Sequence, residues 1–151
     1  MSYLGLHDNE FADALLLLAR LFLSLPFLYS GVDKCWHWTA AQREVAASGL
    51  PWPTLFHLVT VAVQLGAGLS VLIGIEARLG AVILCLFLVP VTIMYHPFWK
   101  RSGPELVAEA DHFLLNLALI GGLLMIVAFG SGPCSVIDQS FAELVGSVAG
   151  V

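Results

Sequence analysis

Residues 79–100 read LGAVILCLFLVPVTIMYHPFWK, and this stretch decides the fold. An almost purely apolar run, 79–91, is closed by Tyr95, His96, Pro97 and Trp99, and then by the basic pair Lys100-Arg101. That order describes a helix leaving a bilayer, with tyrosine and tryptophan at headgroup level and the cations in water beyond. His96 is the exception in the pattern. It sits inside the exit turn, where hydrocarbon gives way to headgroups, and much of the remaining polar chemistry of the chain comes to the same depth on the same side.

Outward from this stretch the composition agrees. The chain has 151 residues, of which 59% are hydrophobic and only 11% charged, against about 25% charged in an ordinary soluble domain. Four segments qualify as spans, at 12–31, 54–75, 79–98 and 112–130, each near the roughly 20 residues that a bilayer requires. The sequence therefore predicts an all-α integral membrane protein of the plasma membrane. It is a single transmembrane domain over 1–151, built as a four-helix up-and-down bundle in contact with lipid. The first span is not read as a cleavable signal peptide, because His7, Asp8, Glu10 and Asp13 replace the basic flank that one needs. A net charge of -5 and the lack of a basic stripe argue against nucleic acid as a partner. Cys35, Cys85 and Cys134 have no C-x-x-C spacing, and the alternation of spans puts Cys35 and Cys134 at opposite faces, out of disulfide reach.

Taken in order, the first span carries Arg20 near its middle, where an arginine normally faces the bundle interior or clamps to a surface, and Pro26, expected to kink it. The loop that follows contains Trp36, His37, Trp38 and Trp52. Thr39 is read there as the N-cap of a short helix of about ten residues on the membrane surface. The second span carries His57 in its first turn, Gln64 near its centre and a small-residue stripe at Gly66, Ala67, Gly68 and Ser70 suited to close packing. Gly103-Pro104 marks a turn. The fourth span opens with Asp111-His112, carries Asn116 a turn further in and contains Gly121-Gly122. Lys34, Arg43, Lys100 and Arg101 fall on the face of the long loops, with only Arg78 on the face of the two tails. The positive-inside rule then puts loops one and three in the cytoplasm.

His37, His57, His96 and His112 come within a turn or two of the loop face, with all 4 tryptophans, Lys34, Asp33 and Asp111. His112 and Asn116, and likewise Thr92 and His96, are four residues apart and share a helix side. Facing each other they would line a pocket at the membrane interface, beside Tyr95. Three uses suit such a pocket: binding a quinone or similar small amphipathic ligand, ligating haem or a metal through paired histidines, or serving as a structural belt at headgroup depth. Metal is the weakest of the three, since no H-x-x-x-H or E-x-x-H spacing occurs on any of these helices as bounded here. A standalone enzyme is hard to support, since no nucleophile–base pair or nucleotide loop is visible.

The motifs "AR…YSGVDK" in the first span, the small-residue stripe and Gly74 in the second, "YHPFW" closing the third, and Asn116 followed by "GSGPCSVID" after the fourth together resemble the DoxX family, small four-helix membrane proteins of bacteria and archaea. The resemblance runs from about Leu15 to Asp138, and rests on the order and spacing of motifs that are individually weak. It implies a role beside a membrane redox system: the family takes its name from a subunit associated with a thiosulfate:quinone oxidoreductase, and other members are linked to redox stress or quinone detoxification. It singles out Arg20, Gly31, Lys34, His96 and Asn116. Where family members commonly carry a glutamate in the second span, this chain has Gln64, which puts in doubt any mechanism needing a membrane-embedded carboxylate there. The candidate ligand-binding set is then Arg20, Lys34, Gln64, Tyr95, His96, His112 and Asn116, with a quinone as the candidate ligand and a redox subunit or a second copy of the chain as possible partners. A non-enzymatic scaffold or assembly subunit is the competing class, and a small transporter comes third.

Overall fold

The computed structural model describes residues 10–132; Cys134 and most of the "GSGPCSVID" motif lie outside the described residues. Five α-helices make up the described chain: α1 (Glu10–Trp36), α2 (Trp38–Ala47), α3 (Pro53–Ile73), α4 (Ala77–Tyr95) and α5 (Pro104–Phe129), with a 3-10 turn at Phe98–Lys100. Among the described residues there is no β-strand. α1, α3, α4 and α5 are long and apolar enough to cross a membrane. The shortest, α4, has 19 residues, which at 1.5 Å per residue gives about 28 Å for a hydrocarbon core about 30 Å thick.

Among the boundaries that differ from the sequence expectation, two helix starts and one helix end have a clear local reason. α1 runs on to Trp36, since "VDKCW" contains no breaker, and Gly31 serves packing: a Cβ there would stand 2.7 Å from the Leu65 side chain of α3. α5 begins at Pro104, eight residues before the expected boundary at His112. Gly103 takes φ 61, Pro104 has the preset φ of a first helical residue, and Glu105 in the first turn suits the helix dipole. α2 is capped by His37, not by Thr39; α1 ends directly against it, and the His37 carbonyl accepts from the N–H of Ala40 and Ala41.

α1 packs on α3, α3 on α4 and α4 on α5, while α1 and α5 meet only along a short stretch. That meeting lies toward the tails, where Gly122 lets the Leu23 side chain approach; a Cβ there would stand 2.6 Å from it. Gly66 and Gly121, by contrast, have nothing within 4 Å. The core is concentrated in the same half: Ala67, Val71, Ala77, Ala81, Leu84, Leu123 and Ile126 are buried there. In α5 the buried residues are only Leu123 and Ile126, so its long stretch toward the loops packs loosely. Outward-facing leucines and phenylalanines, among them Phe22, Leu86, Leu115 and Phe129, are exposed, as a lipid-facing surface requires. α2 folds back on α3, burying Ala41 and Val45, and Gln42 Nε2 donates to Thr54 Oγ1 at 2.8 Å.

Candidate functional site

Where α1 and α5 part, the loop-facing half of the bundle is hollow. A cavity of about 410 Å³ opens there, within the usual range of roughly 300–1,000 Å³ for small-molecule sites. Every helix contributes a wall. α1 supplies Pro26, Phe27, Ser30 and Lys34, and α2 supplies Ala41, Glu44 and Val45. Thr60 and Gln64 come from α3, Leu88, Tyr95 and His96 from the end of α4, and Glu109, Asn116 and Leu119 from α5. The inner wall is mainly apolar, broken by Ser30 and Gln64, and further polar groups gather toward the loops.

Of the residues expected from sequence, Lys34, Gln64, Tyr95, His96 and Asn116 line this one cavity. His112 and Arg20 do not. His112 is exposed and its ring lies 5.1 Å from that of His96, tilted by 31°, so it flanks the site from outside. Arg20, 2% exposed, lines a separate apolar cavity of about 390 Å³ in the tail-facing half, beside Leu23, Ile126 and Ser131. No single pocket can therefore use both Arg20 and His96. The small α4 pair Thr92 and His96 also separates: Thr92 is buried and its Oγ1 donates to the Leu88 carbonyl at 2.6 Å.

Polar contacts organise the cavity at two points. At the loop end, His96 Nδ1 lies 2.8 Å from Glu109 Oε2, joining the end of α4 to the first turns of α5, with each side chain 26% exposed. Deeper, Lys34 Nζ donates to Ser30 Oγ at 2.6 Å, and Gln64 Nε2 donates to the same oxygen at 3.2 Å. Gln64 is 7% exposed, and its Oε1 has no hydrogen-bond partner among the described residues. His57 serves a different purpose. It is fully buried, with the Trp38 ring edge-on at 4.2 Å, and so anchors α2 to α3.

Glu109 is the principal residue missed from sequence, because it fell in the third loop when the fourth span was started at His112. With α5 starting at Pro104, Glu109-Ala110-Asp111-His112 becomes an E-x-x-H on a helix, a spacing first read as absent. Pro104 after a glycine, with Glu105 next, was the available signal of an earlier start. Among the described residues, however, no group of three or more His, Cys, Asp or Glu side chains is placed to hold a metal ion.

The stretch from α1 through α4 matches the DoxX family model over residues 15–97, more than half of the chain. The chain belongs to the DoxX family. Its curated DoxX-family relatives include the inner membrane protein YphA of Escherichia coli (strain K12), 25% identical over 81% of this chain and 87% of the relative. A second is the inner membrane protein YqjF of the same organism, 25% identical over 85% of this chain and 93% of the relative. No solved structure matches the chain. With four apolar spans and this family, the protein is a multi-pass integral membrane protein. The DoxX match contains Arg20, Lys34, Gln64 and His96, and ends before the α5 wall of the cavity, where Glu109 and Asn116 stand.

Proposed function

We propose that this DoxX protein is an accessory component of a membrane redox system, seated in the inner membrane, that holds a quinone-like head group in the loop-face cavity. The observation that carries this reading is the cavity itself: mainly apolar within, with polar groups at Gln64 and toward the loops, and walled by all five helices. A planar amphipathic ring entering between α1 and α5 would leave its tail in lipid and bring its oxygens to Lys34, Tyr95, His96 and Asn116. The excess of Lys and Arg at this face supports placing it in the cytoplasm. In this reading the electrons come from a partner redox subunit.

The test is extraction and mass spectrometry of lipids that co-purify with the detergent-solubilised protein, for the wild type and for His96→Ala. A quinone present at near-stoichiometric amount in the wild type and depleted in the variant supports the reading; none in either removes it. One observation favours a scaffold as the second reading. The His96–Glu109 contact ties α4 to α5 and could serve helix packing alone, in which case His96→Ala would lower thermal stability and change nothing that co-purifies.

A further inference from the structure

We propose that the cavity takes the reduced, hydroxyl-bearing form of its aromatic ligand, a hydroquinone or phenol, with His96 Nε2 accepting the ligand's O–H. The inference rests on the cavity being a head-group site, and adds which form of head group it holds. Its origin is Glu109. An ionised carboxylate can only accept hydrogen bonds, so a neutral imidazole 2.8 Å away must carry its proton on Nδ1. Nε2 is then left with a lone pair and can only accept. A quinone carbonyl would bring a second lone pair to that nitrogen, whereas a hydroxyl brings a proton.

A second, independent feature of the cavity has the same polarity. Gln64 is more than nine-tenths buried, its Nε2 is engaged by Ser30, and its Oε1 is without a partner among the described residues. An unmet acceptor in a lipid-embedded wall costs free energy until a donor arrives. Oε1 is sealed beneath the cavity surface, and a ligand hydroxyl reaching it on a small turn of the amide would supply the donor, whereas a carbonyl cannot. Ser30 Oγ already receives two donors, from Lys34 and Gln64, and so has its own hydrogen free to give to a ligand oxygen.

Full proton transfer also balances here. The ligand O–H bond breaks, an N–H bond forms at His96 Nε2, and the resulting imidazolium stands against the Glu109 carboxylate. The phenolate left behind shares the cavity with the Lys34 ammonium. No electrons move in this step, and no further reactant is needed.

The experiment measures binding to the purified full-length protein in detergent under anaerobic conditions, by calorimetry. The probes are a decyl-substituted hydroquinone, the matching benzoquinone, para-decylphenol and its methyl ether. The wild type is expected to bind the hydroquinone over the quinone, and the phenol over its ether, by at least about tenfold, the scale of one unmet buried hydrogen bond. Glu109→Gln, which keeps the side-chain shape and removes the charge, should shrink both preferences to about threefold or less, with folding checked by thermal unfolding. His96→Phe, which keeps a ring and removes both nitrogens, should leave at most the few-fold share that Gln64 supplies and serves if Glu109→Gln does not fold. Equal affinity for both members of each pair in the wild type overturns the inference and leaves the quinone-like reading standing. Phenol bound over ether, with neither quinone form bound, keeps the acceptor role and removes the quinone-like reading. Binding of no probe removes both.

Discussion

The two halves of this bundle are built to opposite specifications from the same four spans. Toward the tails, α3, α4 and α5 meet through small residues and leucines: Ala77, Ala81, Leu84 and Leu123 are wholly buried, and Gly122 lets α1 close against α5. Toward the loops α1 and α5 part, no residue of α5 before Leu123 is buried, and the space is lined by Ser30, Lys34, Gln64, His96, Glu109 and Asn116. Lipid removes most of the hydrophobic drive between membrane helices and leaves packing to hold them. A packed half can therefore carry stability while an open half carries polar groups that packing would exclude. Substitutions in one half should change stability with little effect on binding, and substitutions in the other should do the reverse.

The largest effect is expected at Leu84. Leu84→Ala leaves a void at the centre of the packed half and should cost about 2–4 kcal/mol of stability, read as a lower midpoint in denaturing-detergent titration, with head-group affinity unchanged. A loss of affinity as large as the loss of stability would mean that the halves are not separable. Gly122→Leu sharpens the comparison from the other side. It forces Leu23 away and should cost about 1–3 kcal/mol by overpacking, while thermal unfolding in the presence of ligand should show an undiminished upward shift.

In the hollow half, His96→Ala should weaken head-group binding by about tenfold, or ~1.4 kcal/mol, and alter the thermal midpoint far less than Leu84→Ala does. Should His96→Ala instead cost as much stability as Leu84→Ala, the scaffold reading gains. The smallest effect belongs to Gln64→Leu. Replacing a buried, half-satisfied amide by an apolar side chain is close to neutral or slightly stabilising, within about 1 kcal/mol, while binding of a hydroxyl-bearing ligand should fall a few-fold by titration.

The sequence made the spans legible because their apolar runs are long and their ends are marked by aromatic and basic residues, as at Tyr95 to Arg101. It also put Lys34, Tyr95, His96 and Asn116 toward the loop-facing end and Gln64 near the centre of its span, and all five share a cavity. What it missed was phase and boundary. Four residues along a helix are about 400°, so His112 is turned some 40° from Asn116, whereas seven residues are about 700° and return Glu109 to within ~20°. His112 accordingly lies outside the cavity and Glu109 within it. Arg20 was misplaced by the same kind of error. Counting the first span from residue 12 to 31 centres it, but α1 runs from Glu10 to Trp36, which carries Arg20 into the tail-facing half. A pocket at the loop face was legible from the clustered polar residues, but its size and its opening were not, because they arise from how little α1 and α5 touch.

The most direct test of the loop-face cavity as the ligand site is photo-labelling with a short-tailed azidoquinone, followed by peptide mapping of the full-length protein in detergent. Adducts should concentrate on the second half of α1, the end of α4 around Tyr95 and His96, and α5 between Glu109 and Leu119, and excess unlabelled hydroquinone should suppress them. Adducts spread over the lipid-facing leucines, or gathered around Arg20 in the tail-facing cavity, would contradict it.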